Sequence, residues 1–337
     1  MADIVLGMWT THGPTLSTTP EQWALRIPAD KKKIDHPFRG KRYNFDELVS
    51  LRKGENLAGQ SSLEERQKRH ARCQAAIKVM ADKWEEIAPD VAVIIGNDQR
   101  ELFLDDIIPS IDVFWGATIW DQPATPEQAA MMPPGIHEAE AGHSPPEYRE
   151  YPGLPELGQH IIESAIADGF DVAQSRELPQ HTNHYCSGIG HAFGFIYRMI
   201  MRDKVVPNVP IIQNTFFPPN QPPARRCFEF GQSVGRAIRS WDSPKRVAVF
   251  GSGGMSHFVI DEGFDKTFFD AFTRRDVESL TGIDEVYFQS GTSELKNWIT
   301  AAGILFDTEL EGWMVDYVPC YRSEAGTGTA NGWVYWI

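Results

Sequence analysis

Four runs along the chain are apolar at almost every position and are cut off by turn residues: DIVLGMW at 3–9, DVAVIIG at 90–96, NVPIIQ at 208–213 and KRVAVFG at 245–251. Continuous apolar runs of this length, rather than alternating ones, predict strands buried on both faces. Between them the period changes. Ile77, Met80, Trp84 and Ile87 form a helical stripe within Ser62–Ala88, Ser61 and Ser62 precede Glu64 and Glu65 at capping-box spacing, and Pro89 ends the helix. Leu157, Ile161 and Ala165 predict a second helix, with Gly169 as its stop. DVAQS (171–175) reads as a short strand. PPARRCFEFGQSVGRAIRSW, FDKTFFDAF and TSELKNWITAAGIL read as later helices. Alternating strands and helices predict an α/β fold: one large domain over 1–337, a central mixed sheet flanked by helices, and a site at the strands' C-terminal ends.

Two stretches depart from this rhythm. Residues 20–60 are polar and irregular, and read as an insertion: a lid or oligomer contact, against the plainer solvated loop. Residues 121–155 carry eight prolines, which excludes regular helix or central strand. They are expected to form a surface loop, with a wall over a pocket as the alternative. The tail from Gly312 is aromatic and glycine-rich.

Three of the strand runs end in polar clusters: TTHGPT around His12, GNDQ ending at Gln99, and GSGGMSHFVIDE with His257 and Glu262. Ligands in α/β sheets bind beyond the carboxyl ends of strands, so the three clusters are expected to converge. A His and a carboxylate are two parts of a metal-binding facial triad, and Gln99 stands where a second His would complete it. A lone His is more often structural, but the place of His12 at a strand end ahead of the Gly13-Pro14 turn favours a metal or catalytic reading; Glu262 in isolation would by default be a surface acid. HTNHYCSGIGHAF holds His181, His184 and His191, with chance clustering as the plain alternative, and no HExxH zinc pattern occurs. GSGGMSH matches neither nucleotide-loop spacing, and no GxSxG elbow is present.

Bulk properties narrow the class. The 337 residues carry a formal net charge of −14, which argues against nucleic-acid and anionic-membrane partners. Cys73, Cys186, Cys227 and Cys320 form no CxxC pair, which suits a reducing cytoplasm. No run reads as a signal peptide or membrane span.

Taken in order, strand–TTHGP, strand–GNDQ, GHAFGFIYRMI, VPIIQNTFFPPNQPPARRCFEFGQSVGRAI and RVAVFGSGGMSHFVIDE resemble the class III extradiol catechol dioxygenases, the superfamily of the protocatechuate 4,5-dioxygenase catalytic subunit. The resemblance runs from residue 3 to about residue 305. Within it, the opening most resembles dioxygenases that open a lignin-derived hydroxylated biphenyl. The resemblance implies Fe(II) bound by His12 and Glu262, with His191 as the acid/base group. The family's second iron-binding His belongs to an NDH motif, and here Gln99 departs from it. Gln99 would ligate through its amide oxygen, or a nearby His (His184, His257 or His36) would replace it, or metal binding is lost. His257 and His184 are the expected substrate contacts.

The implied reaction is Fe(II)-dependent extradiol cleavage of a catecholic aromatic acid with O₂, the substrate being of biphenyl, gallate, 3-O-methylgallate or protocatechuate type, in a homodimer. Arg225 and Arg226, or Lys31 to Lys33, are the candidates for a clamp on an acidic substrate, with plain surface charge the favoured reading of the three lysines. The rival readings are a zinc-dependent hydrolase at the same crevice and a non-catalytic scaffold.

Overall fold

The computed structural model describes residues 1–181 and 184–337. Its strands are β1 (Asp3–Thr10), β2 (His36–Phe38), β3 (Lys41–Tyr43), β4 (Val91–Asn97), β5 (Ile111–Phe114), β6 (Thr118–Asp121), β7 (Arg149–Pro152), β8 (Ala173–Ser175), β9 (Asn208–Gln213), β10 (Arg246–Ser252), β11 (His257–Val259), β12 (Gly312–Tyr321) and β13 (Thr327–Trp336). Among the described residues one nine-stranded sheet has the order β11-β13-β1-β10-β4-β9-β5-β8, with β12 on β13. The middle of this sheet, β1, β10, β4 and β9, is parallel. Its antiparallel pairs are β5 with β9, β1 with β13, and β13 with β11 and β12.

The apolar runs are continuous because each face of the sheet meets its own core. Along β4, Val91, Val93 and Ile95 enter one cluster while Ala92 and Ile94 enter the other. Val247 and Val249 of β10 join the first, and Ala248 and Phe250 the second. The period of two persists, but both phases are apolar. The helices Ala224–Ser240 and Leu295–Leu305 pack on the first face; Leu63–Ile87 and the turns from His191 to Ile200 pack on the second. The helix read at Ser62–Ala88 spans Leu63–Ile87, and the Ser62 side chain accepts the Glu65 N–H as its cap. No described helix is long and apolar enough to cross a membrane.

The aromatic tail is not irregular. It forms the long pair β12 and β13, whose pairing with β1 closes that side of the sheet. Alternation there is obscured because β13 is buried at nearly every position, its Gly, Thr and Asn included. The proline-rich segment also departs from expectation. Residues 121–155 hold part of the β6–β7 hairpin and a short capped helix, Pro126–Met131, and they form a wall over a cavity rather than a free surface loop. Residues 20–60 fold into short helices and the β2–β3 hairpin.

Candidate active site

Parallel register brings the three polar clusters to one edge. Thr10 of β1 lies beside Ser252 of β10, and Gly251 of β10 beside Ile95 of β4. Two residues past β1, His12 places Nδ1 2.8 Å from Ser252 Oγ. The single Ser252 hydroxyl proton is donated to the Ala192 carbonyl at 2.6 Å. His12 Nδ1 is therefore the donor in the first contact, and a neutral ring leaves Nε2 as a bare lone pair. Burial pushes the His12 pKa down, against the pull of Glu294, so the neutral ring is favoured. That Nε2 is buried without a hydrogen-bond partner among the described residues, 3.3 Å from Glu294 Oε2.

Glu294 ends the turn Ser290–Glu294 and stands at the N-terminal boundary of the helix Leu295–Leu305, without a side-chain capping bond, where aligned peptide dipoles favour negative charge. The Gly254 N–H donates to Oε2 at 2.8 Å. Gln99 Nε2 and Asn97 Nδ2 donate to Oε1 at 2.8 and 3.3 Å. Burial opposes ionisation, but the facing imidazoles of His257 and His12 outweigh it and hold the carboxyl well below its usual range. Two acceptors at 3.3 Å repel unless a positive charge lies between them.

His191 opens the helix His191–Phe195 and carries its own carboxylate. Nδ1 stands 2.7 Å from both oxygens of Glu101, and its backbone N–H donates to Oε1 at 3.1 Å. Burial works against charge on both partners, yet their attraction wins: His191 is raised to about 9 and Glu101 lowered to about 2. Asp98 sets the loop that delivers Glu101, accepting the backbone N–H groups of Arg100, Glu101, Leu102 and Phe103. The His12 and His191 rings meet edge to face with centroids 4.6 Å apart. Beside them His143 is pushed down to about 4, first by burial and then by the His191 charge.

Ligand atoms of His12, His191 and Glu294 lie within 4.8 Å of one another. Two imidazoles and a carboxylate suit a divalent transition metal such as Fe(II), and the orphaned His12 Nε2 fits that use. The Ser252 and Glu101 contacts are the outer hydrogen bonds that orient such histidines. His257 is drawn in as well. Nδ1 donates to Met255 O at 2.7 Å and Nε2 stands 3.5 Å from Glu294 Oε2. Its ring is clasped by Gly254 and Gly291, where an added Cβ would fall 2.5 and 1.9 Å from ring atoms.

His12, Gln99, Glu101, His143, His191, His257 and Glu294 open on a cavity of about 320 Å³, at the low end of small-molecule pockets. The strand ends form its floor, and Gln122, Met132, Ile136 and His143 of the proline-rich segment form a wall.

The structure therefore brings together His12, Gln99, His191 and His257, but not Glu262. That residue is exposed at the start of the helix Glu262–Thr273, accepting the Tyr321 hydroxyl at 2.8 Å, outside the cavity lining. Among the described residues, the carboxylate that faces His12 is that of Glu294. Gln99 turns its amide nitrogen to Glu294, since a carboxylate only accepts, and so steadies that side chain. His184 packs on Tyr185 and His181 away from the lining, and His36 bonds the Asp30 carbonyl. The expected clamps are also elsewhere. Arg225 faces Glu278, Arg226 covers the Phe170 ring, and Lys31 reaches Glu324. Glu294, Glu101 and His143 were not singled out from sequence. A trace of Glu294 was present: Glu294, Lys296 and Asn297 interrupt an otherwise apolar helix start, and all three are buried.

Residues 64–331 match the family described as the catalytic LigB subunit of aromatic ring-opening dioxygenase. The chain belongs to this family. It is similar to a gallate dioxygenase of Pseudomonas putida, 32% identical over 138 residues, covering 40% of this chain and 38% of that protein. A 2,3-dihydroxyphenylpropionate/2,3-dihydroxicinnamic acid 1,2-dioxygenase of Cupriavidus necator is 27% identical over 187 residues, covering 55% of this chain and 48% of its own. The matched stretches thus span less than half the length of these ring-opening relatives.

Proposed function

We propose that this family member opens the ring of a catecholic aromatic acid beside its diol, both atoms of O₂ entering the product as the adjacent C–C bond breaks. His12 and Glu294 would hold Fe(II), and Gln99 would orient Glu294. Bound there, Fe(II) supplies the Lewis acidity and redox link between diol and O₂. The observation that carries the reading is the bare His12 Nε2 facing Glu294 Oε2 at 3.3 Å, a pairing that a cation relieves.

Held charged by Glu101, His191 would become a neutral acceptor at Nε2 once a cation at His12 and Glu294 lowers its pKa; it would then take a diol proton there and return it later, with Nδ1–H held by Glu101. His257 lines the cavity beside His12 and Glu294, where the diol would lie, and the proline-rich segment would wall the ring on the other side. The family membership and the named relatives support the reaction class. A homodimer and a cytoplasmic setting belong to the same proposal, the latter supported by four free cysteines.

The test is anaerobic reconstitution with Fe(II), followed by metal analysis and oxygen uptake on gallate, protocatechuate and 2,3-dihydroxyphenylpropionate. One iron per chain and a yellow ring-opened product are expected. Zinc retention with no uptake on any vicinal diol would remove the proposal. His191→Ala should abolish ring opening while iron stays bound; loss of iron would instead make His191 a third ligand.

A further inference from the structure

Across the cavity from no acid of its own, Arg26 holds a guanidinium that the fold leaves unanswered. It ends the helical turn Gln22–Arg26, and its stem runs under Gly135 of the proline-rich wall, where an added Cβ would sit 3.0 Å from Arg26 Cδ. Its Nε and Nη1 are shut from solvent with no hydrogen-bond partner among the described residues. A buried guanidinium without paired donors is costly, so a negative charge brought into the adjoining cavity would be stabilised there.

Nearby protein acids are already committed. Asp30 receives Arg322 Nε and Nη2 at 2.7 and 2.8 Å, and the Thr327 hydroxyl at 2.6 Å. Two guanidinia therefore share one carboxylate, and the patch carries an excess positive charge. Arg26 and Arg322 both line the cavity that His12 and Glu294 enter. Of the other acids there, Glu101 is neutralised by His191, Glu294 faces His12, and Glu140 binds the Ala124 N–H and His137. Burial, followed by the Arg322 charge, pushes the Arg26 pKa down despite Asp30, the signature of a cation lacking a counter-ion. Met132, Pro133 and Ile136 beside it offer apolar surface to a flat ring.

We propose that Arg26 is the specificity-determining anchor for a carboxylate on the aromatic substrate, while the diol is directed to His12 and Glu294. This rests on the ring-opening reading for the identity of the ligand, although not for the existence of the anion site. With Nε and Nη1 shut in, a carboxylate would meet the guanidinium from its cavity side through a charge-assisted N–H···O bond and the attraction of unlike charges, which directs that end of the ring toward Arg26.

Benzoate, an aromatic carboxylate without a diol, is the probe, with benzyl alcohol as its neutral counterpart and inorganic phosphate as a non-aromatic anion. Calorimetry on the full chain should show benzoate binding and little binding of the other two. Arg26→Gln should weaken benzoate roughly 10- to 100-fold, with Arg26→Lys recovering part of it. The kcat/KM ratio for protocatechuate over 4-methylcatechol should fall at least tenfold in Arg26→Gln, mainly through KM. Circular dichroism and bound iron report whether the variant is folded. Failure of wild-type benzoate binding, or equal affinity in wild type and a folded Arg26→Gln, overturns the proposal. Benzoate binding that depends on Arg26, with no turnover of any catechol, would sink the ring-opening reading and leave the anchor standing. Preference for phosphate over benzoate would also overturn it.

Discussion

Two histidine–carboxylate pairs face each other in one cavity and are wired oppositely. At Glu101–His191 a proton lies between partners 2.7 Å apart, and the pair is a closed ion pair. At Glu294–His12 the proton has been drawn to the far side of the ring by Ser252, and two acceptors meet at 3.3 Å. One serine hydroxyl, itself committed to Ala192 O, decides the difference. The same residue types thus give a proton-holding pair and a cation-ready pair, set by what lies behind each imidazole.

The largest effect should come from removing the cation-ready carboxylate. Glu294→Ala is expected to lose bound iron and to lower kcat/KM by roughly 10³-fold or more, read by metal analysis beside oxygen uptake. Full iron occupancy in that variant would erase the distinction between the pairs. Glu101→Gln should act on the other pair alone: iron retained, and turnover lowered roughly 10²-fold, because His191 loses the group that fixes its Nδ1 proton. Iron loss equal to that of Glu294→Ala would show that both pairs serve the metal.

The smallest effect uses a buried carboxylate with no imidazole at all. Among the described residues, Asp112 of β5 has the Ser175 hydroxyl, at 2.6 Å, as its one side-chain partner, and burial raises it to about 6. A raised acid favours the protonated native state, so this contribution to stability is complete below the unfolded pKa near 4 and is lost as pH rises through about 6. Between pH 5 and 7 the loss should be about 1 kcal/mol. Urea unfolding at both pH values should show the wild type losing about 1 kcal/mol more than Asp112→Asn over this interval, the other shifted groups being common to both. An unchanged slope would mean that burial alone does not set the sign that the imidazoles reverse at Glu101 and Glu294.

Much of the frame was legible in the chain. The four apolar runs became β1, β4, β9 and β10, since a strand covered on both faces has no polar phase to confuse the reading. His12, Gln99, His191 and His257 were found because each lies at a strand end or in a motif beside one. β13 was missed because its buried Gly, Thr and Asn residues carry no apolar pattern, and β12 because its first six residues are exposed or half-buried and its register shifts between Met314 and Asp316.

The sequence by itself determined where the chain would place chemistry: at the C-terminal edge of a parallel sheet, whose register follows from buried apolar strands. Which acid would serve there was decided only in three dimensions. Glu262 follows the Gly-rich turn closely in sequence, yet its helix carries it out to solvent, to Tyr321. Glu294 lies 282 positions beyond His12, and the buried helix Leu295–Leu305, tied to Ser252 O and Asn97 through Asn297, brings it back. Proximity along the chain fixes only local turns, whereas a buried carboxylate goes where donors and imidazoles from several elements offset its desolvation.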